Sequence, residues 1–263
     1  MAPISRPYTF MARNQRDPLF KQRHFDDAII PLCVRWYVSY KLSYRDLAEM
    51  MLERGLQMAP STINRWVQHY IPEFEKRWNR FSRPVGTSWC VDETYVNIKG
   101  VWHYIYRAVD KRGHTIDFYL SKTRGIAAAQ AFFRKVLATH SGHGPLKVTL
   151  DGHQPSHRAL RLLRRAHATW RRVKVRSCKY LNNIIEQDHR AIKTKCRAMK
   201  SFESFDTAAT TIAGMELAHR IRKRQFTGLD RDRSRPINLK LPFCLDGFGK
   251  GFNHVSANPH SGD

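Results

Sequence analysis

The sequence predicts an α/β protein in which an all-α domain precedes a mixed-sheet core. Three observations predict it. Between residues 25 and 72, apolar residues recur at helical spacing, punctuated by helix caps and by Gly55. From residue 88 the period changes to two over three β-rich runs. Beyond residue 126, helix and strand patterns alternate.

Residues 1–20, with Pro3, Pro7 and Pro18, read as a flexible leader. Residues 25–40 form a helix with the stripe Ile29, Leu32, Cys33, Trp36 and Tyr37. Pro31 sits either in its first turn, where a missing N–H costs nothing, or at a kink. Ser43-x-x-Asp46 starts a second helix as a capping box, with Leu47, Met50 and Met51 inward, and Gly55 ends it. Ser61 caps a third helix that Pro72 closes. Ile63, Trp66, Val67 and Tyr70 point inward; Thr62, Asn64, Arg65, Gln68 and His69 point outward. A helix, a Gly-containing turn and a short helix with a polar, basic outer face make the helix-turn-helix pattern. Its second helix reads the DNA major groove. An ordinary three-helix bundle with a wetted face has the same pattern. The helix-turn-helix domain is placed at 21–72, with a linker or connecting helix at 73–86 ending in Arg83-Pro84-Val85-Gly86.

Strands follow at 88–97, 101–109 and 114–120, joined by Lys99-Gly100 and Lys111-Arg112-Gly113. Then come a helix at about 126–139, a strand at 146–150, a helix at 156–168, a strand at 172–176 and a long helix from about 181. A last helix starts near Ser204, with Ile212, Met215, Glu216 and His219 along it. Three antiparallel strands followed by alternating helix and strand is the order of an RNase-H-like mixed sheet, placed at 87–225. Residues 226–263, rich in Gly, Pro, Asn and His, read as a disordered tail.

The net charge is +24, from 46 basic and 22 acidic residues. Residues 87–225 hold 27 basic and 10 acidic groups, hence +17 of that total. Such a field attracts phosphate backbones. A solvated basic surface or a ribosome-associated protein would share it, so motifs must decide. A hydrophobic fraction of 42% excludes a disordered polycation. The five cysteines are scattered without C-x-x-C, and His140 and His143 have no cysteine pair nearby. They read as reduced thiols, neither a disulfide framework nor a zinc site. No apolar run reaches membrane-spanning length, and there is no signal-peptide core. The expectation is a cytoplasmic, nucleoid-associated protein with no membrane partner.

Three carboxylates carry the chemistry. Asp92 lies in Trp-Cys-Val-Asp-Glu-Thr-Tyr-Val, Asp151 ends Lys-Val-Thr-Leu-Asp, and Glu186 lies in Asn-Asn-Ile-Ile-Glu-Gln-Asp-His. Each alone has an ordinary explanation: an edge-strand Asp, a turn former, a helix Glu. In an RNase-H-like sheet the first and fourth strands are neighbours, which brings Asp92 and Asp151 together. The later helix adds Glu186. Three such carboxylates suit two Mg²⁺ ions, with Mn²⁺ able to substitute, for in-line displacement at a phosphodiester. On that helix Asn182, Glu186, His189, Arg190, Lys193 and Arg197 share one face. Lys193 and Arg197 are placed to grip the DNA backbone beside the reacting phosphate. His189 orients Glu186, contacts phosphate or donates a proton. The expected DNA contacts are Ser61, Thr62, Asn64, Arg65 and Gln68 in the first domain, and His189, Arg190 and Arg197 in the second.

Longer stretches carry a resemblance: Arg-Trp-Tyr (35–37), Ser-Tyr-Arg-Asp-Leu (43–47), Glu-Met-Met-Leu-Glu-Arg-Gly (49–55), Ser-Thr-Ile-Asn-Arg-Trp-Val-Gln (61–68), Asp-Glu-Thr-Tyr-Val (92–96), Tyr-Arg-Ala-Val-Asp-Lys-Arg-Gly (106–113), Asp-Phe-Tyr-Leu-Ser (117–121) and Lys-Tyr-Leu-Asn-Asn-Ile-Ile-Glu-Gln-Asp-His (179–189). As a set they resemble bacterial insertion-sequence transposases with an Asp-Asp-Glu triad, of the retroviral-integrase superfamily, and more narrowly those of the family-six insertion sequences. The match covers about residues 21–225. It puts the triad on Asp92, Asp151 and Glu186, and the family's basic residue on Lys193. Gly-His-Gln-Pro-Ser-His after Asp151 departs from a segment usually richer in Lys and Ala, and Pro31 interrupts the first helix. The resemblance implies an enzyme that binds terminal inverted repeats in double-stranded DNA, nicks 3′ ends and joins each 3′-hydroxyl to target DNA. Movement would be replicative and cointegrate-forming, within a synaptic complex of a homodimer or higher oligomer. Two other readings are a helix-turn-helix regulator with an inactive RNase-H-like body and a DNA nuclease. An intact triad speaks against the first, and an N-terminal DNA reader against the second.

Overall fold

The computed structural model describes residues 17–21, 24–140, 144–178, 183–198 and 202–227. The sheet begins with a hairpin whose turn fixes its register. Strands β1 (Ser88–Ile98) and β2 (Val101–Asp110) pair antiparallel through Lys99 and Gly100, at φ 49° and 83°. A two-residue turn with both φ positive matches the right-handed twist of the flanking strands. Strand β3 (Thr115–Ser121) pairs antiparallel with β2 after a turn that places Gly113 at φ 78°. The Asp110 carboxylate ties this end together, accepting from the backbone N–H of Gly86, Arg112 and His114. Helix α4 (Ile126–Thr139) leads to β4 (Lys147–Leu150), which lies parallel to β1. Helices α5 (Gln154–Ala166) and α6 (Ala168–Arg171) lead to β5 (Lys174–Ser177), parallel to β4. The order β3-β2-β1-β4-β5 is that of an RNase-H-like mixed sheet.

Each sheet face has its own core. Trp89, Val91, Tyr106 and Ala108 pack against Phe132 and Phe133 of α4, Leu160 and Leu163 of α5, and Trp170. Val96, Ile98, Ile105 and Leu120 belong to the other face, with α7 (Asn183–Ala198) and α8 (Phe205–Arg222). That second core continues without a break into α1 (Ile29–Ser39), α2 (Tyr44–Leu52) and α3 (Pro60–Asn79). A Cβ placed on Gly214 of α8 would meet Ile71 Cδ1 at 2.4 Å and Val38 Cγ1 at 2.8 Å. Glycine therefore permits the close approach of α1 and α3 to α8.

Helix α2 is set by local chemistry at both ends. Ser43 Oγ accepts from Asp46 N, and Asp46 Oδ2 accepts from Ser43 N, completing the capping box. At the other end Gly55 adopts φ 74°, Gly55 N donates to Leu52 O and Leu56 N donates to Met51 O. These are the paired bonds of a Schellman cap.

Several elements differ from the sequence reading. Ser61 does not cap α3; Ala59 holds that position and Pro60 opens the helix. Pro72 does not close it. The helix runs on to Asn79, because Phe74 and Trp78 are buried and their packing outweighs the local break. The first half of 73–86, up to residue 79, is therefore the connecting helix of the two readings. Helix α1 buries Ile30, Cys33, Val34, Tyr37 and Val38, leaving Ile29, Leu32 and Trp36 at its margin, with Pro31 in its first turn. At the end of the expected leader, Phe20 is buried and Arg77 pairs with both oxygens of Asp17, at 2.8 and 3.1 Å. At the start of the expected tail, Phe226 packs on Trp78 with ring centroids 4.9 Å apart. Residues 1–16 and 228–263 lie outside the described residues. Among the described residues no helix is long and apolar enough to cross a membrane, and Cys33, Cys90, Cys178 and Cys196 are free thiols.

Gly214→Val should cost about 1–3 kcal/mol of stability, the usual penalty for overpacking. Urea unfolding measures it. An unchanged midpoint would show that the contact between α8 and the N-terminal helices is slack.

Candidate active site

Strand register builds the site. In the parallel β1–β4 pair Val91 stands opposite Leu150. The next residues, Asp92 within β1 and Asp151 just past the end of β4, therefore stand side by side, on backbones about 4.8 Å apart. Asp92 Oδ1 accepts from Glu93 N at 2.8 Å. Asp151 Oδ1 accepts from His153 N at 3.0 Å, and the Asp151 carbonyl accepts from His157 Nε2 at 2.7 Å. Burial pushes the Asp92 carboxyl up to about 6, against the pull of the Glu93 N–H; the charges of Asp151 and Glu93 add to the rise and Lys193 opposes it.

Glu93 points to the opposite sheet face. One oxygen meets Arg124 and the other lies 3.1 Å from His153 Nδ1. The same histidine supplies the N–H that holds Asp151, so Glu93 props the loop from behind. Its role was not read from the sequence.

Helix α7 crosses this end of the sheet. Glu186, Arg190 and Arg197 are exposed and Lys193 is half-buried, at helical steps of four, three and four. Lys193 Nζ sits 5.4 Å from the centre of the Tyr95 ring. His189 behaves differently from its expected partners. It is 2% exposed, and its Nδ1 faces Asp92 Oδ2 at 3.6 Å. Burial, with Arg107 and Lys193 beside it, pushes its pKa down to about 3. Buried in this way, His189 is not presented on the surface with Arg190 and Arg197 as expected of a DNA contact; it abuts Asp92 instead. Glu186 stands one helical turn before it. Among the described residues no three His, Cys, Asp or Glu side chains stand close enough to share one ion. The structure thus pairs Asp92 with Asp151 and leaves the Glu186 carboxylate apart from them. Asn182 lies outside the described residues.

A buried charge network sets the position of α7. Arg107 is opposite Asp92 in the β1–β2 register and fully buried. Its guanidinium meets Asp188 Oδ2 at 2.7 Å and both oxygens of Glu216, at 2.7 and 2.8 Å. Asp188 also accepts from His219 Nε2 at 2.6 Å and from Lys223. Burial alone would raise Asp188; His219, Arg107 and Lys223 hold it well below the usual carboxylate range. The sequence signal for these residues was an Arg within the apolar run Tyr-Ile-Tyr-Arg-Ala-Val and a Glu within Ala-Gly-Met-Glu-Leu-Ala. Charges at such positions require partners.

In the N-terminal helices Ser61 and Arg65 are exposed, and Thr62 and Asn64 are half-buried. Arg65 Nη2 donates to Thr62 Oγ1 at 3.3 Å. Gln68 departs from the expected outward face: its Nε2 donates to Thr211 Oγ1 of α8 at 3.4 Å. Helix α8 thus occupies the amide that was expected to reach DNA.

A family profile described as a DDE domain matches residues 86–225. The transposase for the insertion sequence-like element IS431mec of Staphylococcus aureus (strain N315) is 37% identical over 213 residues, spanning 78% of this chain and 89% of that protein. The transposase for insertion sequence element IS257 in transposon Tn4003, also of Staphylococcus aureus, is 36% identical over the same length and shares. The HTLV-2 integrase catalytic core domain aligns with 50% of this chain and 84% of its own, at 13% identity and a TM-score of 0.38, a likeness too faint to bear on the site. The chain belongs to the DDE transposases of the family-six insertion sequences.

Proposed function

We propose that the protein binds the terminal inverted repeats of an insertion sequence, nicks their 3′ ends and joins each 3′-hydroxyl to target DNA, in replicative, cointegrate-forming movement. The observation that carries this reading is the register that sets Asp92, within β1, beside Asp151 at the end of the parallel strand β4, under a helix with a basic face. Asp92, Asp151 and Glu186 would hold two Mg²⁺ ions, with Mn²⁺ as a substitute. The donors fit. They are all carboxylate oxygens, which hard cations prefer, and neighbouring acids that disfavour each other's charge favour a divalent cation. Such ions supply Lewis-acid activation of a water or 3′-hydroxyl and stabilise the leaving oxygen.

The chain's own side chains do the rest. His189, neutral and packed against Asp92, orients that carboxylate. Glu186 lies one turn from His189 on the same helix, so its side-chain torsions can carry it toward the aspartates. Lys193, Arg190 and Arg197 grip phosphates next to the reacting bond. Ser61, Thr62, Asn64 and Arg65, at the start of α3, read the terminal repeat. The protein acts in the cytoplasm at the nucleoid, as a homodimer or higher oligomer on double-stranded DNA.

Asp92 gives a pH test. Its folded pKa of about 6 lies above the ordinary 3.8, so its contribution to stability is fully present below 3.8 and is lost as pH rises through 6. Without divalent metal, Asp92→Asn should therefore stabilise the protein by about 1–2 kcal/mol at about pH 8 and by almost nothing near pH 4. Mg²⁺ should raise the melting temperature of the native protein and not of the variant. A variant no more stable than the parent at high pH would refute the buried, disfavoured charge.

Three variants separate the roles on DNA. Lys193→Ala should weaken binding of the cleaved end and lower the salt slope by about one phosphate contact. Lys193→Arg should retain most of both. Glu186→Gln should keep DNA binding and lose turnover. Arg65→Ala should cost about 1–3 kcal/mol on the terminal repeat and little on unrelated DNA. Binding isotherms and strand-transfer assays run side by side read all of these. Loss of chemistry in Lys193→Ala at saturating DNA, with affinity and salt slope intact, would contradict its phosphate role.

A further inference from the structure

Two aromatic rings on the β1–β2 hairpin, beyond the carboxylate pair, lie outside both cores among the described residues. Tyr95 and Trp102 are each 55% exposed. In the β1–β2 register Tyr95 stands opposite Tyr104, and Asn97 opposite Trp102, so these four side chains share one sheet face. The two rings meet edge to face, with centroids 5.0 Å apart and planes at 89°. More than half of each residue's surface stays open to solvent. Strand β4 pairs only with Ser88–Val91, so beyond Asp92 this edge of β1 is free of it. Helix α7 reaches the same edge with Lys193, whose Nζ lies 5.4 Å from the Tyr95 ring centre. Lys99 is exposed at the hairpin turn.

Open aromatic faces flanked by ammonium groups suit one chemistry above others. Unpaired nucleobases stack on aromatic rings while cations hold the adjoining phosphates, and this binding needs no sequence. Bases inside a duplex offer no free face for it. Tyr95 is three residues beyond Asp92, about 10 Å along the strand, and on the face to which Glu93 points, so a strand leaving the aspartates reaches it round the free edge of β1 where Lys193 of α7 already meets its ring. The charge excludes a purely apolar occupant: the patch belongs to a segment carrying 27 basic and 10 acidic residues.

We propose that Tyr95 and Trp102 form a stacking platform for an unpaired base of the DNA strand next to the reacting phosphate, with Lys99 and Lys193 on that strand's backbone. The proposal rests on the reading that the aspartate pair acts on DNA. It adds that the strand is locally unpaired when it is bound.

The test uses the full chain and two DNA probes. Both carry the element's end; one is fully paired and the other has a short unpaired flap at the cleavage position. A 2-aminopurine in the flap reports stacking by its fluorescence. The native protein should prefer the flapped probe. Trp102→Ala and Tyr95→Ala should weaken binding of the flapped probe by about five- to a hundredfold, leave the paired probe unchanged and abolish the stacking signal. Trp102→Phe should keep most of the preference. Trp102→Leu, apolar but without a flat ring, should behave like the alanine variant and guards against an effect of lost bulk. Equal native affinity for both probes, or equal losses on both, would overturn the platform. So would a change of sedimentation mass with DNA binding untouched, which would assign the surface to a second copy of the chain. Nicking by Asp92→Asn is measured in parallel. If that variant nicks like the native protein, the active-site reading fails. If it is inactive while Trp102→Ala binds both probes normally, only the platform fails.

Discussion

The guanidinium of Arg107 is the interaction on which the rest of the site depends. It is fully buried between Asp188 of α7 and Glu216 of α8, on the strand beside Asp92. Such a cluster does not contribute much net stability, because desolvation offsets most of the attraction. Removing one member is different: it strands an unpaired charge in the core, at a cost of about 3–5 kcal/mol. What the cluster supplies is position. Asp188 is fixed by Arg107, His219 and Lys223, and the next residue, His189, is thereby set against Asp92. One pinned turn of helix determines which way Glu186 and the basic face of α7 look.

The same helix α8 joins this clamp to the N-terminal helices. Glu216 holds Arg107, while two residues earlier Gly214 lets Ile71 and Val38 approach. Helix α7 makes its own link, with Lys195 Nζ donating to Val38 O at 2.8 Å in a buried setting. The helices proposed to read DNA and those proposed to hold the reacting strand therefore share one continuous core.

Local chemistry made much of the fold legible in the sequence. The Ser43–Asp46 box, the Lys99-Gly100 turn and the helix over 126–139 each rest on interactions a few residues apart, and each stands where the pattern placed it. The adjacency of Asp92 and Asp151 followed from strand order alone. What stayed hidden depends on distant partners. Gln68 looked outward by periodicity, yet Thr211, 143 residues away, takes its amide. His189 shared a helical face with Glu186, but which part of that face is covered depends on how α7 docks on the sheet. Pro72 looked like a terminator because the buried rings of Phe74 and Trp78 cannot be seen locally. The Arg107–Glu216 pair spans 109 residues, so only the oddity of each charge in an apolar run hinted at it.

The central claim is that α7 brings a third carboxylate to the aspartate pair. Mn²⁺ binding followed by electron paramagnetic resonance, with the element's end DNA present, tests it most directly. The account predicts that Asp92→Asn, Asp151→Asn and Glu186→Gln each weaken Mn²⁺ binding, while Lys193→Ala leaves it unchanged. Mn²⁺ binding lost in both aspartate variants but intact in Glu186→Gln would contradict it, and would leave α7 a helix that holds DNA without holding metal.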